Sequence, residues 1–173
     1  MAAMIRPYQA QSKTDITAIT EIYAYHVTHG RGSFEHIAPS RDEMQARFSA
    51  LLDKNYPIMV AEQDGAIVGY AYAGPHKARK GYDGTVEDSV YIAPSHARKG
   101  IGRQLLMTLI KQAKADGYRQ MMAVIGDSAN TASIGLHKDV GFTMIGTAKG
   151  IGYKFGTYLD VTYMQYALQD DAL

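Results

Sequence analysis

The stretch Val90-Tyr91-Ile92-Ala93-Pro94-Ser95-His96-Ala97-Arg98-Lys99-Gly100-Ile101-Gly102-Arg103 gathers the residue types that hold an anion. An apolar run ends at Ala93-Pro94, a short basic turn with two glycines follows, and a helical pattern starts. Such a turn presents unpaired backbone N–H groups along the positive end of a helix dipole. Glycine at 100 and 102 lets a phosphate oxygen approach the backbone without a Cβ in the way. Arg98, Lys99 and Arg103 add charge at the rim. From Arg98 to Arg119 there are six Lys/Arg and one Asp, a local charge of +5. The chain as a whole carries +1, so the remainder sums to −4. The near-neutral total conceals a concentrated anion site; the bland alternative is a helix start with a solvated basic face.

The elements that must position this turn are legible along the chain. Residues 4 to 8 read as a short strand, and Thr14 or Asp15 caps a helix with Ile16, Ile19, Ile22, Tyr23 and Val27 at helical spacing. That helix stops near Gly30 and Gly32. Ser40 with Glu43 forms a capping box for a second helix carrying Met44, Phe48, Leu51 and Leu52. Ile58 to Ala61 and Ala66 to Ala73 form a hairpin about Gln63-Asp64-Gly65. A strand from Thr85 to Ile92 leads through the basic turn into a helix that buries Leu105, Leu106, Leu109, Ile110 and Ala113 and ends at Asp116-Gly117. Met121 to Ile125 is a strand, Asn130 to Val140 a helix closed by Gly141, and Phe142 to Ala148 and Tyr158 to Leu168 are two last strands. Strand, helix, strand over residues 85 to 125 requires a parallel pair with a crossover helix. The expected fold is α/β: a mixed, mostly antiparallel sheet with one central parallel pair and helices on both faces.

Length and composition bound the function. The 173 residues suit one domain, 1–173, with no linker, repeat or low-complexity stretch. A chain 46% hydrophobic and 20% charged is neither disordered nor collagen-like. A charge of +1 argues against a protein that coats nucleic acid, and no run of 18 apolar residues spans a membrane. The start MAAMIRPYQAQSK lacks the apolar core of a signal peptide, so a cytoplasmic location is expected. Without cysteine there is no disulfide, thiolate metal site or cysteine nucleophile. His26 and His29 are one helical turn apart but lack a third ligand at fitting spacing, so no metal is expected. GxxxxGK[ST] is absent, and Gly100-Ile101-Gly102 lacks the third glycine of GxGxxG and follows the fourth strand of a mixed sheet. Neither a P-loop nor a dinucleotide fold fits.

The glycine turn after a strand resembles the R/Q-x-x-G-x-G/A signature that marks the acetyl-CoA pyrophosphate site of the GNAT N-acetyltransferases. The branch it is most similar to is that of the phosphinothricin and methionine sulfone (or sulfoximine) N-acetyltransferases. The likeness covers roughly residues 5 to 168. It is carried by Ser33-Phe34-Glu35, by residues 72–79 (Tyr72-Ala73-Gly74-Pro75-His76-Lys77-Ala78-Arg79), by residues 85–91, by Ala132-Ser133-Ile134-Gly135-Leu136-His137 with Gly141-Phe142, and by residues 152–161. One departure stands out: the first position of the signature is Ala97, which removes a side-chain phosphate contact while the backbone amides, Arg98 and Lys99 remain.

The resemblance implies acetyl transfer from acetyl-CoA to an amine, with a GNAT-type sheet whose fourth and fifth strands splay apart. An amine is mostly protonated at pH 7, so a base must take its proton, and the resemblance places Glu87 there. A raised Glu87 pKa would come from partial burial; the alternative is a strand carboxylate in an ion pair. The thioester carbonyl is expected to meet a backbone N–H near Val90 or Tyr91, with Ile92 continuing the cofactor edge. His137 occupies the position where many family members place a tyrosine acid, or is simply a structural histidine. Asn130 and Ser133 fit cofactor contacts by resemblance, and Asn130 is equally an N-cap. Lys77 and Arg79, flanking Ala78, suit a carboxylate plus a phosphinate, sulfone or similar oxygen-rich group, or are ordinary loop charges. Glu87, Asp88 and Ser89 are implied to line the other side of the substrate site. Tyr153, Phe155 and Tyr158 lid that site or pack at the interface of an implied homodimer.

The expected function is therefore an acetyl-CoA-dependent N-acetyltransferase acting on the α-amine of phosphinothricin, methionine sulfone or methionine sulfoximine. Transfer is direct, since no cysteine exists to carry the acetyl group. Two alternatives keep the fold: an acceptor that is a polyamine, aminoglycoside or protein amine, which Lys77 and Arg79 count against, or a non-catalytic CoA-binding module.

Overall fold

The computed structural model describes residues 2–169. Seven strands form one sheet in the order β1-β2-β3-β4-β5-β7-β6. They are β1 (Met4–Pro7), β2 (Ile58–Gln63), β3 (Ala66–Pro75), β4 (Thr85–Ile92), β5 (Gln120–Gly126), β6 (Thr143–Lys154) and β7 (Thr157–Ala167). Four helices accompany them: α1 (Lys13–His29), α2 (Arg41–Leu52), α3 (Ile101–Ala115) and α4 (Thr131–Val140). Every neighbouring pair is antiparallel except β4 and β5, which α3 joins as a crossover. This is the mixed, mostly antiparallel sheet expected.

Strand alternation sorts the core into two layers. In β2, Met59 and Ala61 pack with Leu105, Leu106 and Leu109 of α3, whereas Ile58 and Val60 pack with Ile19, Val27 and Phe48 of α1 and α2. Helices α3 and α4 thus cover one face and α1 and α2 the other. Burying each leucine of α3 contributes about 1.5–3 kcal/mol, which fixes the crossover helix and the turn at its start.

Most element ends fall within two residues of the sequence reading, and three details differ. The cap of α1 is Ser12, whose Oγ accepts from the Asp15 N–H at 3.1 Å, not Thr14 or Asp15. Asp15 is occupied elsewhere: its carboxylate accepts two Arg6 hydrogen bonds, at 2.8 and 2.9 Å. At α2, Ser40 caps the Glu43 N–H at 3.2 Å, but the Glu43 carboxylate takes Arg47 rather than reaching back to complete the box. Strand β6 runs on to Lys154, well past Ala148, because a bulge between Ala148 and Gly152 lets it bend and re-pair with β7. Gly150 supplies the positive φ of 60°, and its N–H is held by Asp160 at 3.0 Å.

The feature that matters for function is where the central pairing stops. The β4–β5 register runs from Thr85↔Gln120 to Asp88↔Ala123 and ends there, although β4 continues to Ile92 and β5 to Gly126. The two strands part, as the family resemblance implied, and open a wedge in the middle of the sheet.

Candidate active site

A cleft of about 1020 Å³ occupies the wedge. Its floor is Val90, Tyr91 and Ile92 of β4 with Val124, Ile125 and Gly126 of β5; one end is the turn carrying Arg98, Gly100, Ile101, Gly102 and Arg103; and Asn130, Ser133 and His137 of α4 form a side. Of the residues expected to bind the cofactor, all but Lys99 line it. At the turn Arg98 and Gly100 have φ of 61° and 78°. The N–H groups of Ile101, Gly102 and Arg103 have no intrahelical acceptor, and Gln104 is the first to bond back, to the Gly100 carbonyl at 3.2 Å. These N–H groups, the helix dipole and two guanidinium groups make a site for a pyrophosphate. The two glycines act differently. A Cβ on Gly100 would meet open space but an unfavourable φ of 78°, whereas one on Gly102 would make an ordinary contact with Leu136 at 3.4 Å.

The backbone of β4 is polarised across the wedge. The Ala93 N–H bonds the Val68 carbonyl at 2.9 Å, on the β3 side. Alternation then turns the polar groups of Ile92 and Val90 toward the gap. The Ile92 carbonyl indeed accepts a 2.8 Å hydrogen bond from His26 Nε2. The Val90 N–H, rather than that of Tyr91, is therefore the one exposed to a ligand in the cleft.

Side chains of β4 alternate as well. The register pairs Tyr70↔Tyr91, Tyr72↔Ser89 and Gly74↔Glu87 place Glu87, Ser89 and Tyr91 on the α1/α2 face. Asp88 points the other way, so the three neighbours expected to line one substrate wall are divided between two faces. Glu87 is half-buried, and burial pushes its carboxyl above the ordinary 4.5. His76 Nδ1, 3.2 Å from Glu87 Oε2, opposes that rise, and the Asp88 charge adds to it. Glu87 thus has both the raised pKa and a hydrogen-bond partner. Around it on this face stand Tyr72, Tyr23, Glu35 and Arg47, with the Arg47 guanidinium on Glu35 at 2.7 and 3.2 Å.

Asp88 and His137 form a buried pair on the α3/α4 face, with Asp88 Oδ2 2.9 Å from His137 Nε2. His137 Nδ1 donates to the Ser133 carbonyl at 2.7 Å. Burial of the ring lowers its pKa, but the hydrogen bond and charge of Asp88, with the Ser133 carbonyl, outweigh this and hold it above 6.5. Both ring nitrogens are committed to acceptors. Asn130 Oδ1 caps α4 by accepting from the Ser133 N–H at 3.2 Å.

Other expected residues sit farther out. Lys77, Ala78 and Arg79 are exposed in the β3–β4 connection, outside the cleft; Lys77 Nζ lies 5.0 Å from the Tyr82 ring. His26 and His29 are engaged separately, His26 on Ile92 and His29 stacked on Tyr25. Sequence reasoning missed a wall of the cleft at the end of α1, comprising Tyr25, His26, Gly30, Arg31 and Gly32. It also missed what anchors that wall: Lys154 is 1% exposed and donates to the carbonyls of Gly30, at 2.8 Å, and Ser33, at 2.5 Å. No sequence signal marks it: a lysine is expected at the surface, and the burial of Lys154 shows only in the fold.

The comparisons with known proteins agree with this geometry. Residues 9–163 match the family described as Acetyltransferase (GNAT) domain. The chain is 49% identical over 154 residues to a phosphinothricin N-acetyltransferase of Alcaligenes faecalis, covering 89% of this chain and 78% of that one. It is 41% identical to an L-methionine sulfoximine/L-methionine sulfone acetyltransferase of Salmonella typhimurium, over 92% of this chain and 93% of that one. The crystal structure of a GNAT superfamily phosphinothricin acetyltransferase from Sinorhizobium meliloti in complex with AcCoA superposes with a TM-score of 0.93 at 42% identity, covering 98% of this chain and 90% of that chain. With its splayed central strands and its glycine turn at the mouth of the wedge, the chain belongs to the GNAT acetyltransferases and is an acetyl-CoA-dependent N-acetyltransferase.

Proposed function

We propose that the chain acetylates the α-amine of a small amino-acid-like acceptor, with methionine sulfone, methionine sulfoximine and phosphinothricin as the class. The observation that carries this reading is Glu87: a half-buried carboxyl with a raised pKa on the face of β4 beside the wedge. The activities named for the relatives from Alcaligenes faecalis and Salmonella typhimurium supply the acceptor class.

In this reading acetyl-CoA lies along the wedge with its pyrophosphate on the Gly100–Gly102 turn, ringed by Arg98, Arg103 and, farther out, Lys99. The Val90 N–H meets the thioester oxygen and stabilises the charge that develops there. Val90 lies three strand positions beyond Glu87, a rise of about 10 Å that the thioester, the amine and a glutamate side chain together span. Glu87 takes the amine proton directly or through one water. The amine attacks the thioester carbon, the C–S bond breaks, and the CoA thiolate leaves; its weak basicity, near the thiol reference of about 8.5, lets solvent protonate it. His137 serves as a clamp between β4 and α4 rather than as the acid, since both its N–H groups are spent. Lys77 and Arg79 meet the acceptor carboxylate from the loop, and Ser89 lines the same face as Glu87. Asp88 holds His137 in place of touching substrate. Metal plays no part in these steps.

Two copies are proposed to associate through β6, β7 and the turn between them, which expose Ile145, Ile151, Tyr153, Phe155 and Tyr158, the last at 71%. The cytoplasm is the proposed compartment because acetyl-CoA is made and used there. The test is CoA-thiol release from acetyl-CoA with a panel of acceptors. Turnover is expected with methionine sulfone, methionine sulfoximine or phosphinothricin. Turnover confined to spermidine, an aminoglycoside or a peptide amine would overturn the acceptor class.

A further inference from the structure

A second cavity, of about 80 Å³, lies between α2 and the α1/α2 face of β3. Its wall combines Tyr23, Tyr70, Tyr72 and Phe48 with the ion pair of Glu35 and Arg47. Tyr23, Glu35 and Arg47 of this wall are committed to hydrogen bonds, whereas the buried Tyr70 hydroxyl is not. The Tyr23 hydroxyl donates to Glu35 at 2.7 Å and lies 3.1 Å from Ser33. Arg47 is held by both Glu35 and Glu43. Tyr70 is 0% exposed, and its hydroxyl has no hydrogen-bond partner among the described residues. A buried hydroxyl left unpaired is costly, and nearly all such groups find a partner in protein, water or ligand. The cavity has room for roughly two waters, or for one group of similar bulk.

The cavity also adjoins the acceptor face. Tyr70 and Tyr72 lie on the side of the sheet that carries Ser89 and Glu87, as the register pairs Tyr72↔Ser89 and Gly74↔Glu87 require. An acceptor seated beside Glu87 on this face has the cavity as its neighbour along β3, past Tyr72. We propose that this cavity is the acceptor side-chain subsite, and that the Tyr70 hydroxyl donates to a neutral sulfur-bound oxygen of the sulfone or sulfoximine class seated in it. Neutrality follows from the wall: with two carboxylates on Arg47, the cavity offers no uncommitted cation for a buried anion. The flanking phenyl rings suit the methyl group of a methyl sulfone.

This proposal rests on the amino-acid acceptor class above, and the experiment separates the two. Steady-state kinetics of wild type and Tyr70→Phe are compared with L-methionine sulfone and with L-norleucine, which has a similar chain and no oxygen. The variant removes only the unpaired hydroxyl, so its melting temperature is expected to match or exceed that of wild type. The ratio of kcat/KM for methionine sulfone over norleucine is expected to fall about tenfold in the variant. Equal losses on both acceptors, or no change on either, would overturn the subsite while leaving the acceptor class intact. Wild-type enzyme inactive on both would overturn the subsite, and wild-type enzyme inactive on methionine sulfoximine and phosphinothricin as well would overturn the acceptor class.

Discussion

Glu87 and Asp88 are adjacent in the chain and meet different chemistry because a strand turns successive side chains to opposite faces. Glu87 faces the acceptor side with a raised pKa, while Asp88 is buried against His137. The second pair has a consequence for stability. His137 is 4% exposed, and removing it leaves the Asp88 carboxylate buried without its partner. His137→Asn is therefore expected to destabilise the fold by about 3–5 kcal/mol in thermal or denaturant melts. The pH dependence has a definite sign. The folded pKa of His137 lies above the unfolded value of 6.5, so its contribution is fully present below about pH 6.5 and is lost as pH rises through the folded pKa. Wild-type stability should carry this alkaline decline, and melts of the asparagine variant should lack it.

At the scale of elements, the segment 30–35 joins α1 to the far half of the sheet. Lys154 donates to the carbonyls of Gly30 and Ser33, Arg31 pairs with Asp127 at 3.2 Å, and Phe34 lies where a Cβ on Gly152 would sit, 2.1 Å from its ring. Burial lowers the Lys154 pKa from its usual 10.5, with Glu35 opposing, so the amine is held by these carbonyls at a desolvation cost. Lys154→Met should keep the packing and lose the tether. Hydrogen exchange is expected to quicken at residues 30–35 while β2 and β3 stay protected; unchanged exchange there would contradict the role given to Lys154.

Elements with local signals were legible in the sequence. Strand β4 reads as Thr85 to Ile92 because Ala93-Pro94 ends it. The start of α3 is marked by a basic glycine turn before a period of buried leucines. What stayed hidden depends on distant partners. The Tyr70 cavity is assembled from α1, segment 30–35, α2 and β3. No local period encodes such a meeting. The separation of Glu87 from Asp88, by contrast, follows from strand alternation alone.

Over the whole molecule, charge and apolar surface are segregated. The basic turn and helix gather at the mouth of the wedge, and among the described residues more than half of the exposed large apolar side chains lie on the β6–β7 hairpin, whose strand β6 is the sheet edge. An edge with Ile151 at 58% and Tyr158 at 71% exposure is a surface that pairing would cover. Light scattering is expected to give twice the chain mass for wild type and a single chain mass for Ile151→Lys/Tyr158→Lys. A wild-type monomer at micromolar concentration would contradict the proposed dimer.

The central claim is that acetyl passes straight from CoA to an amine whose proton Glu87 removes. Its most direct test is the pH profile of kcat/KM for the best acceptor, in wild type and in Glu87→Gln. Wild type should lose activity on the acid side with an apparent pKa above 4.5, reporting the buried carboxyl. The glutamine variant should be slower by about 10²–10⁴ with an unchanged KM for acetyl-CoA, and should lack that acid limb. A glutamine variant as fast as wild type, with the same acid limb, would contradict the account.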